Sequence, residues 1–176
     1  MNKKDPIICL ITGPNGAGKT SVSKALVQKF ERSALIEFGK IRKIVVGGYV
    51  ASPGKDEEGK IQASLATKNI CALANNFVDV GFNVIIDGVT GKTYLKQYTD
   101  LLHGKKIKAF LLLPTAEVLL QRFRGREGEN SWLETISQDL HKEFTSKKDE
   151  SFWSVIDSSN QTIEETADKI FNELVK

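Results

Sequence analysis

Ile7-Ile8-Cys9-Leu10-Ile11-Thr12-Gly13-Pro14-Asn15-Gly16-Ala17-Gly18-Lys19-Thr20 is the stretch on which the reading of this chain turns. Ile7 to Ile11 is a continuous apolar run, the pattern of a strand buried on both faces. Gly13 to Thr20 then matches G-x-x-x-x-G-K-[ST] in full, and Val22, Leu26 and Phe30 follow at helical spacing. Such a loop serves phosphate. Its glycines let the backbone wind so that successive N–H groups face an anion, and the helix behind adds its positive end. Residues Gly13, Pro14, Asn15, Gly16, Ala17 and Gly18 are therefore the expected cradle for the phosphates of ATP or GTP. Lys19 is expected to reach the β- and γ-phosphates, Thr20 to offer its hydroxyl to Mg²⁺, and Ser21 to donate to phosphate beside it.

Working outward, four more apolar runs recur at Ala34 to Ile36, Val84 to Ile86, Ala109 to Leu113 and Phe152 to Ile156. Between them lie patterns stepping by three or four residues: Ala66, Ile70, Leu73, Phe77, Val80; Leu133, Ile136, Leu140, Phe144; Ile163, Ala167, Ile170, Leu174. Ser131 and Thr162 each precede a glutamate, Glu134 and Glu165, by three residues, the spacing of a capping box, and Thr115 is another candidate cap. Strand alternating with helix throughout predicts a three-layer αβα fold around a five-stranded parallel sheet, with ligands outside the carboxyl ends of the strands. The length of 176 residues is that of one domain, spanning 1–176.

Composition narrows the partners. The net charge of +3 is small beside 25 basic and 22 acidic side chains, so the molecule's overall field makes no case for nucleic-acid binding. The lysine pairs Lys105-Lys106 and Lys147-Lys148 read as solvated faces. Cys9 and Cys71 sit within apolar patterns as small buried thiols, which suits a reducing cytoplasm. No stretch approaches the roughly 20 apolar residues of a membrane span, and no apolar signal segment follows Met1 to Lys4. The expected setting is cytoplasmic, with a nucleotide and a small molecule as partners and no membrane.

Two further groups belong near the phosphate loop. Val84-Ile85-Ile86-Asp87-Gly88 is a buried strand ending in a carboxylate, placed to hold Mg²⁺ or its water shell beside Thr20. Arg122, Arg124 and Arg126 follow the apolar Val118, Leu119 and Leu120, and Arg122 and Arg126 share one helical face. A guanidinium can clamp phosphate with two hydrogen bonds, stack on a base, or stabilise charge on a transferred phosphoryl group. Gly125 and Gly128 suit a mobile flap. His103 and His141 lack metal-ligand spacing and carry no assigned role, and Trp132 and Trp153 read as packing residues.

With these residues in view, the chain resembles the small P-loop kinases, the superfamily of adenylate, shikimate and gluconate kinases and chloramphenicol phosphotransferase. The likeness runs nearly end to end. Ile86-Asp87-Gly88 is similar to their acidic third-strand motif, and Leu120-Gln121-Arg122-Phe123-Arg124-Gly125-Arg126 to the edge of their lid, here about 122–131. By that resemblance Arg122 packs on the base and Arg126 meets phosphate. Ala34 to Arg42, with Val45 to Val50 behind it, is most similar to bacterial gluconate kinase-like P-loop proteins. The resemblance implies a nucleoside or nucleotide kinase-like fold with a short lid, ATP with Mg²⁺, and a small-molecule acceptor held by an insertion at about 38–60.

One position departs from the family. There the second strand ends in acid-Gly-Asp, whose second acid accepts the proton of the acceptor hydroxyl, whereas this chain reads Glu37-Phe38-Gly39. Glu37 can take that role, or the acceptor can be an anion needing no base, or the site can bind nucleotide without transfer. Arg42 and Tyr49 follow the strand as candidates for binding an anionic or ring-bearing acceptor. The leading expectation is a small-molecule kinase with Lys19, Glu37 and Arg126 as its catalytic groups. The alternatives are a nucleotide-binding regulator with little transfer activity, and a kinase of nucleotides or polynucleotide ends.

Overall fold

The computed structural model describes residues 5–51, 56–88, 92–127, 131–146, 148 and 152–176, with the side chains of all these except residues 92, 93, 126, 127 and 131–133. Five parallel strands form one sheet: β1 (Ile7–Thr12), β2 (Ser33–Glu37), β3 (Asn83–Asp87), β4 (Lys106–Leu112) and β5 (Ser154–Ile156), in the order β2-β3-β1-β4-β5. The helices are α1 (Lys19–Val27), α2 (Phe38–Arg42), α3 (Glu57–Asp79), α4 (Lys92–Leu101), α5 (Ala116–Glu127), α6 (Ser131–Ser146) and α7 (Ile163–Val175). This is the α/β architecture that the alternating pattern predicts.

Side-chain alternation along β1 divides the core into two layers. Ile7, Cys9 and Ile11 face α1 and α7, where they join Val22, Leu26, Ala167, Ile170 and Leu174. Ile8 and Leu10 face the other way, toward Ile70, Ala74, Leu95 and Tyr98 of α3 and α4. Every residue of β1 is buried, as befits the central strand of a parallel sheet. Burial also pushes the Cys9 thiol well above its ordinary range, leaving it an inert packing group.

The details depart from the sequence pattern in three places. β5 begins at Ser154 rather than Phe152, because Phe152 and Trp153 turn off the sheet and pack on each other with ring centroids 4.4 Å apart, Trp153 also meeting Phe144. Leu73 of α3 and Val80 at its end are exposed, and the buried face of the helix instead runs Ala63, Ala66, Ile70, Ala74 and Val78. Small alanines let the helix lie close to the sheet. The third departure is α4, whose Leu95 and Tyr98, with Leu102 just beyond its end, do repeat at helical spacing and are all buried. Thr162 forms the expected capping box with Glu165, while the side chain of Ser131 lies outside the described residues. Among the described residues no helix is long and apolar enough to cross a membrane.

Candidate functional site

The sheet order puts the phosphate loop at the end of the central strand and the ends of β3 and β2 on one side of it. Gly13 follows β1 in close contact with its neighbour, since a Cβ there would stand 2.3 Å from the carbonyl oxygen of Leu112. Any side chain would push β1 and β4 apart. Gly18 caps α1 with a left-handed φ of 91°, which costs glycine little. No side chain caps α1, and no acid stands in its first turn, so no side-chain oxygen there offsets the positive end of the helix. Inside the loop the Pro14 carbonyl accepts from Ala17 N–H at 3.2 Å and from Lys19 Nζ at 2.9 Å. The ammonium group thus lies across the cradle.

Thr20 and Asp87 meet directly, the hydroxyl donating to Asp87 Oδ2 at 2.6 Å. Asp87 is only 6% exposed, and its carboxyl is held above the usual carboxylate range, chiefly by burial. The Thr20 hydrogen bond and the charge of Lys19 oppose that shift, while nearby Glu37 adds to it. Two hard oxygen donors at one point, one of them a buried carboxylate, suit Mg²⁺. Among the described residues no cluster of three His, Cys, Asp or Glu offers a metal site of its own.

Glu37 pairs in register with Asp87 across β2 and β3, so both carboxylates reach the same edge of the sheet. The Lys40 ammonium lies 2.5 Å from Glu37 Oε1. Gly39 faces open space, with nothing within 4 Å of where a Cβ would be. Phe38 turns the other way and packs on Gly88, where a Cβ would approach Phe38 Cβ to 2.7 Å. The α2 turn is thereby fixed against the end of β3.

Arg42 lies behind this edge rather than at its surface. Only 6% exposed, it donates to the carbonyls of Val50 and of Ala51, the latter at 3.4 Å, with its guanidinium 5.3 Å above the Tyr49 ring. Gln62 of α3 holds the same turn, donating to the Gly48 carbonyl at 2.7 Å and accepting from Val50 N–H at 3.0 Å. Arg42 and Tyr49 together therefore shape the 48–51 turn; residues 52–55 of the expected acceptor-side insertion lie outside the described residues.

On the opposite side, α5 carries the arginines. Arg122 reaches the turn after β5, donating to the Ser158 carbonyl at 2.8 Å and, at 3.4 Å, to the Ser158 hydroxyl. That turn is itself braced: Asp157 accepts from Ser159 N–H at 2.9 Å and from its hydroxyl at 2.5 Å, and is held below the usual carboxylate range by those bonds. Arg124 joins α5 to α6 through Glu134, at 2.5 and 3.1 Å. Arg126 lies in the last turn of α5, and its side chain is outside the described residues. His141 Nε2 stands 2.8 Å from the Pro114 carbonyl, a packing contact of α6.

Two residues near the loop escaped the sequence reading. Ser158 is visible there only as one polar residue in a Ser-rich turn. Ser137, fully buried, donates from α6 to the Asn15 carbonyl of the phosphate loop at 2.6 Å. Its one sequence signal is a hydroxyl beside Ile136 on a helix that is otherwise apolar inward.

No family model and no curated protein sequence matches the chain. Solved structures do. A tunicamycin resistance protein from Deinococcus radiodurans superposes with a TM-score of 0.71 at 20% identity, covering 97% of this chain and 96% of that one. APS kinase from Mycobacterium tuberculosis, in complex with AMPPNP and APS, gives 0.64 at 16% identity over 98% and 97%. A gluconokinase from Sinorhizobium meliloti gives 0.63 at 16% identity over 98% and 97%. Over nearly its whole length this chain has the fold of the small P-loop kinases.

Proposed function

We propose that the protein is an ATP-dependent phosphotransferase acting on a hydroxyl group of a small molecule. The observation that carries this reading is the convergence of Lys19, Thr20, Asp87 and Glu37 on one edge of the sheet, at the mouth of a complete phosphate loop. In it, the loop N–H groups and Lys19 would hold the β- and γ-phosphates, and Thr20 and Asp87 would hold Mg²⁺. When bound, the metal neutralises charge developing on the transferred group. Arg122, fixed on the Ser158 turn, packs on the base, and Arg126 meets the phosphates from the lid.

The acceptor enters beside Glu37 and Gly39. Glu37 takes the proton of the attacking hydroxyl once Lys40, itself 73% exposed, swings aside. The AMPPNP complex of the APS kinase supports ATP as donor, and the names of the superposed kinases support small-molecule acceptors. The cytoplasm remains the proposed compartment, and one domain the proposed organisation.

A second reading, a nucleotide-binding regulator, is favoured by the occupied Glu37 to Lys40 pair and the missing side chain at Gly39. A screen of the full chain with γ-labelled ATP against sugars, sugar acids, nucleosides and aminoglycoside-like alcohols separates the two. Label transfer to an alcohol supports the kinase. Tight ATP binding with no transfer to any class overturns it in favour of the regulator.

A further inference from the structure

The lid-bearing helices do not simply overhang the phosphate loop; they touch its backbone at two points. α5 packs on Gly16, where a Cβ would come within 3.0 Å of the Leu119 carbonyl oxygen and 3.4 Å of Phe123 Cβ. α6 reaches the adjoining peptide, Ser137 donating to the Asn15 carbonyl at 2.6 Å. Arg124 and Glu134 join the two helices at 2.5 Å, so they hold the loop from both sides as one unit.

The Asn15 to Gly16 peptide is planar and trans, which makes its C=O and N–H point in opposite directions. Fixing the carbonyl toward α6 therefore turns the Gly16 N–H away from α6. Among the described residues that N–H donates to no protein group, unlike Ala17 N–H, which is taken by the Pro14 carbonyl. Gly16 has a φ of 88°, a conformation from which the peptide on either side can flip at small cost unless something holds it. A fully buried hydroxyl at 2.6 Å is such a hold, since breaking the bond would cost the buried Ser137 hydroxyl this acceptor.

We infer that Ser137 is a positioning residue for the nucleotide site: it fixes the Asn15 carbonyl, aims the Gly16 N–H at phosphate, and couples the setting of the lid helices to the shape of the phosphate loop. This rests on the reading of Gly13 to Thr20 as the phosphate site. It adds that the cradle is completed by a residue of α6, so that movement of α6 changes phosphate affinity.

The test is calorimetric titration of the full chain with Mg·ATP, using Ser137→Ala, the isosteric pair Ser137→Thr and Ser137→Val, and Lys19→Ala. Thermal midpoints are recorded for each, and Thr145→Ala removes an exposed hydroxyl of the same helix as a control. Ser137→Ala and Ser137→Val should bind about tenfold more weakly, with Ser137→Thr restored to near the parent value and Thr145→Ala unchanged. Because Thr and Val match in shape, a purely packing role would move both alike. The Gly16 amide resonance should shift on adding Mg·ATP to the parent, and by less in Ser137→Ala. Equal affinities for Ser137→Thr and Ser137→Val, or a Ser137→Ala variant binding as the parent does, overturn the inference. Should Lys19→Ala also bind as the parent does, the phosphate site itself is misassigned; loss in Lys19→Ala alone overturns only the role of Ser137.

Discussion

The hydroxyl of Thr20 donates to Asp87 Oδ2 at 2.6 Å, tying the first turn of α1 to the end of β3 across the mouth of the phosphate loop. Burial raises the Asp87 carboxyl above its ordinary range, so the folded state holds a proton there more readily than the unfolded chain does. Stability on this account is greatest below the unfolded carboxylate value of about 3.9 and falls as pH rises through the folded one. At neutral pH the ionised Asp87 is thus a burden on the free protein. Asp87→Asn should raise the thermal midpoint at pH 7, with the difference closing in acid, while weakening Mg·ATP binding roughly ten- to a hundredfold. Calorimetric scans across pH, and titrations with and without Mg²⁺, check both halves.

Lys19 fills no core position, its ammonium resting on the Pro14 carbonyl at 2.9 Å. Lys19→Ala should therefore leave the circular dichroism spectrum and cooperative unfolding intact. Loss of a charge-assisted bond to phosphate should weaken ATP binding by about 1.5–3 kcal/mol. Unchanged affinity would remove Lys19 from the site.

The arginines of α5 should separate by role. Arg122 is already fixed on Ser158, at the turn where the base is proposed to lie, so Arg122→Ala should raise the KM for ATP more than it lowers kcat. On the proposed lid role Arg126→Ala should do the reverse, because an arginine brought in by closure would meet most of its charge only as the phosphoryl group transfers. Arg124→Ala breaks the Glu134 pair between α5 and α6 and should loosen both parameters together. Steady-state kinetics on an acceptor found by the labelled-ATP screen distinguishes the three.

What could be read from the sequence was what is local along the chain. β1, the glycine turn and α1 form one continuous stretch, so motif and flanking periodicity disclosed their arrangement together; the Thr162 capping box spans only four residues and was equally plain. Asp87 was marked by ending an apolar strand. Ser137 stands 122 residues from its partner Asn15, and no local pattern records that pairing. Arg42 is opaque for a different reason: the carbonyls it engages, those of Val50 and Ala51, are only 8 and 9 residues away, but its residue type does not say so. A guanidinium looks identical in sequence whether it serves a ligand or a turn.

Glu37 carries the last prediction, because Glu37 and Asp87 pair in register while Gly39, two residues on, brings no side chain to the open space beside them. If Glu37 accepts the hydroxyl proton, Glu37→Gln keeps the shape of the site but removes the base, and kcat should fall roughly 10²–10⁴-fold with ATP affinity little changed. Open space at Gly39 means that Gly39→Asp meets no steric obstacle, so in the Glu37→Gln background it should recover part of the lost rate. Lys40→Ala frees Glu37 from its ion pair; being 73% exposed, Lys40 adds little stability, so the variant should fold normally and turn over at least as fast as the parent. An acceptor that is already anionic gives the opposite pattern: loss of the Glu37 charge relieves repulsion, Glu37→Gln turns over as the parent does, and Gly39→Asp inhibits. Kinetics of the three variants on one acceptor decides between them, and full activity in Glu37→Gln strikes Glu37 from the catalytic groups.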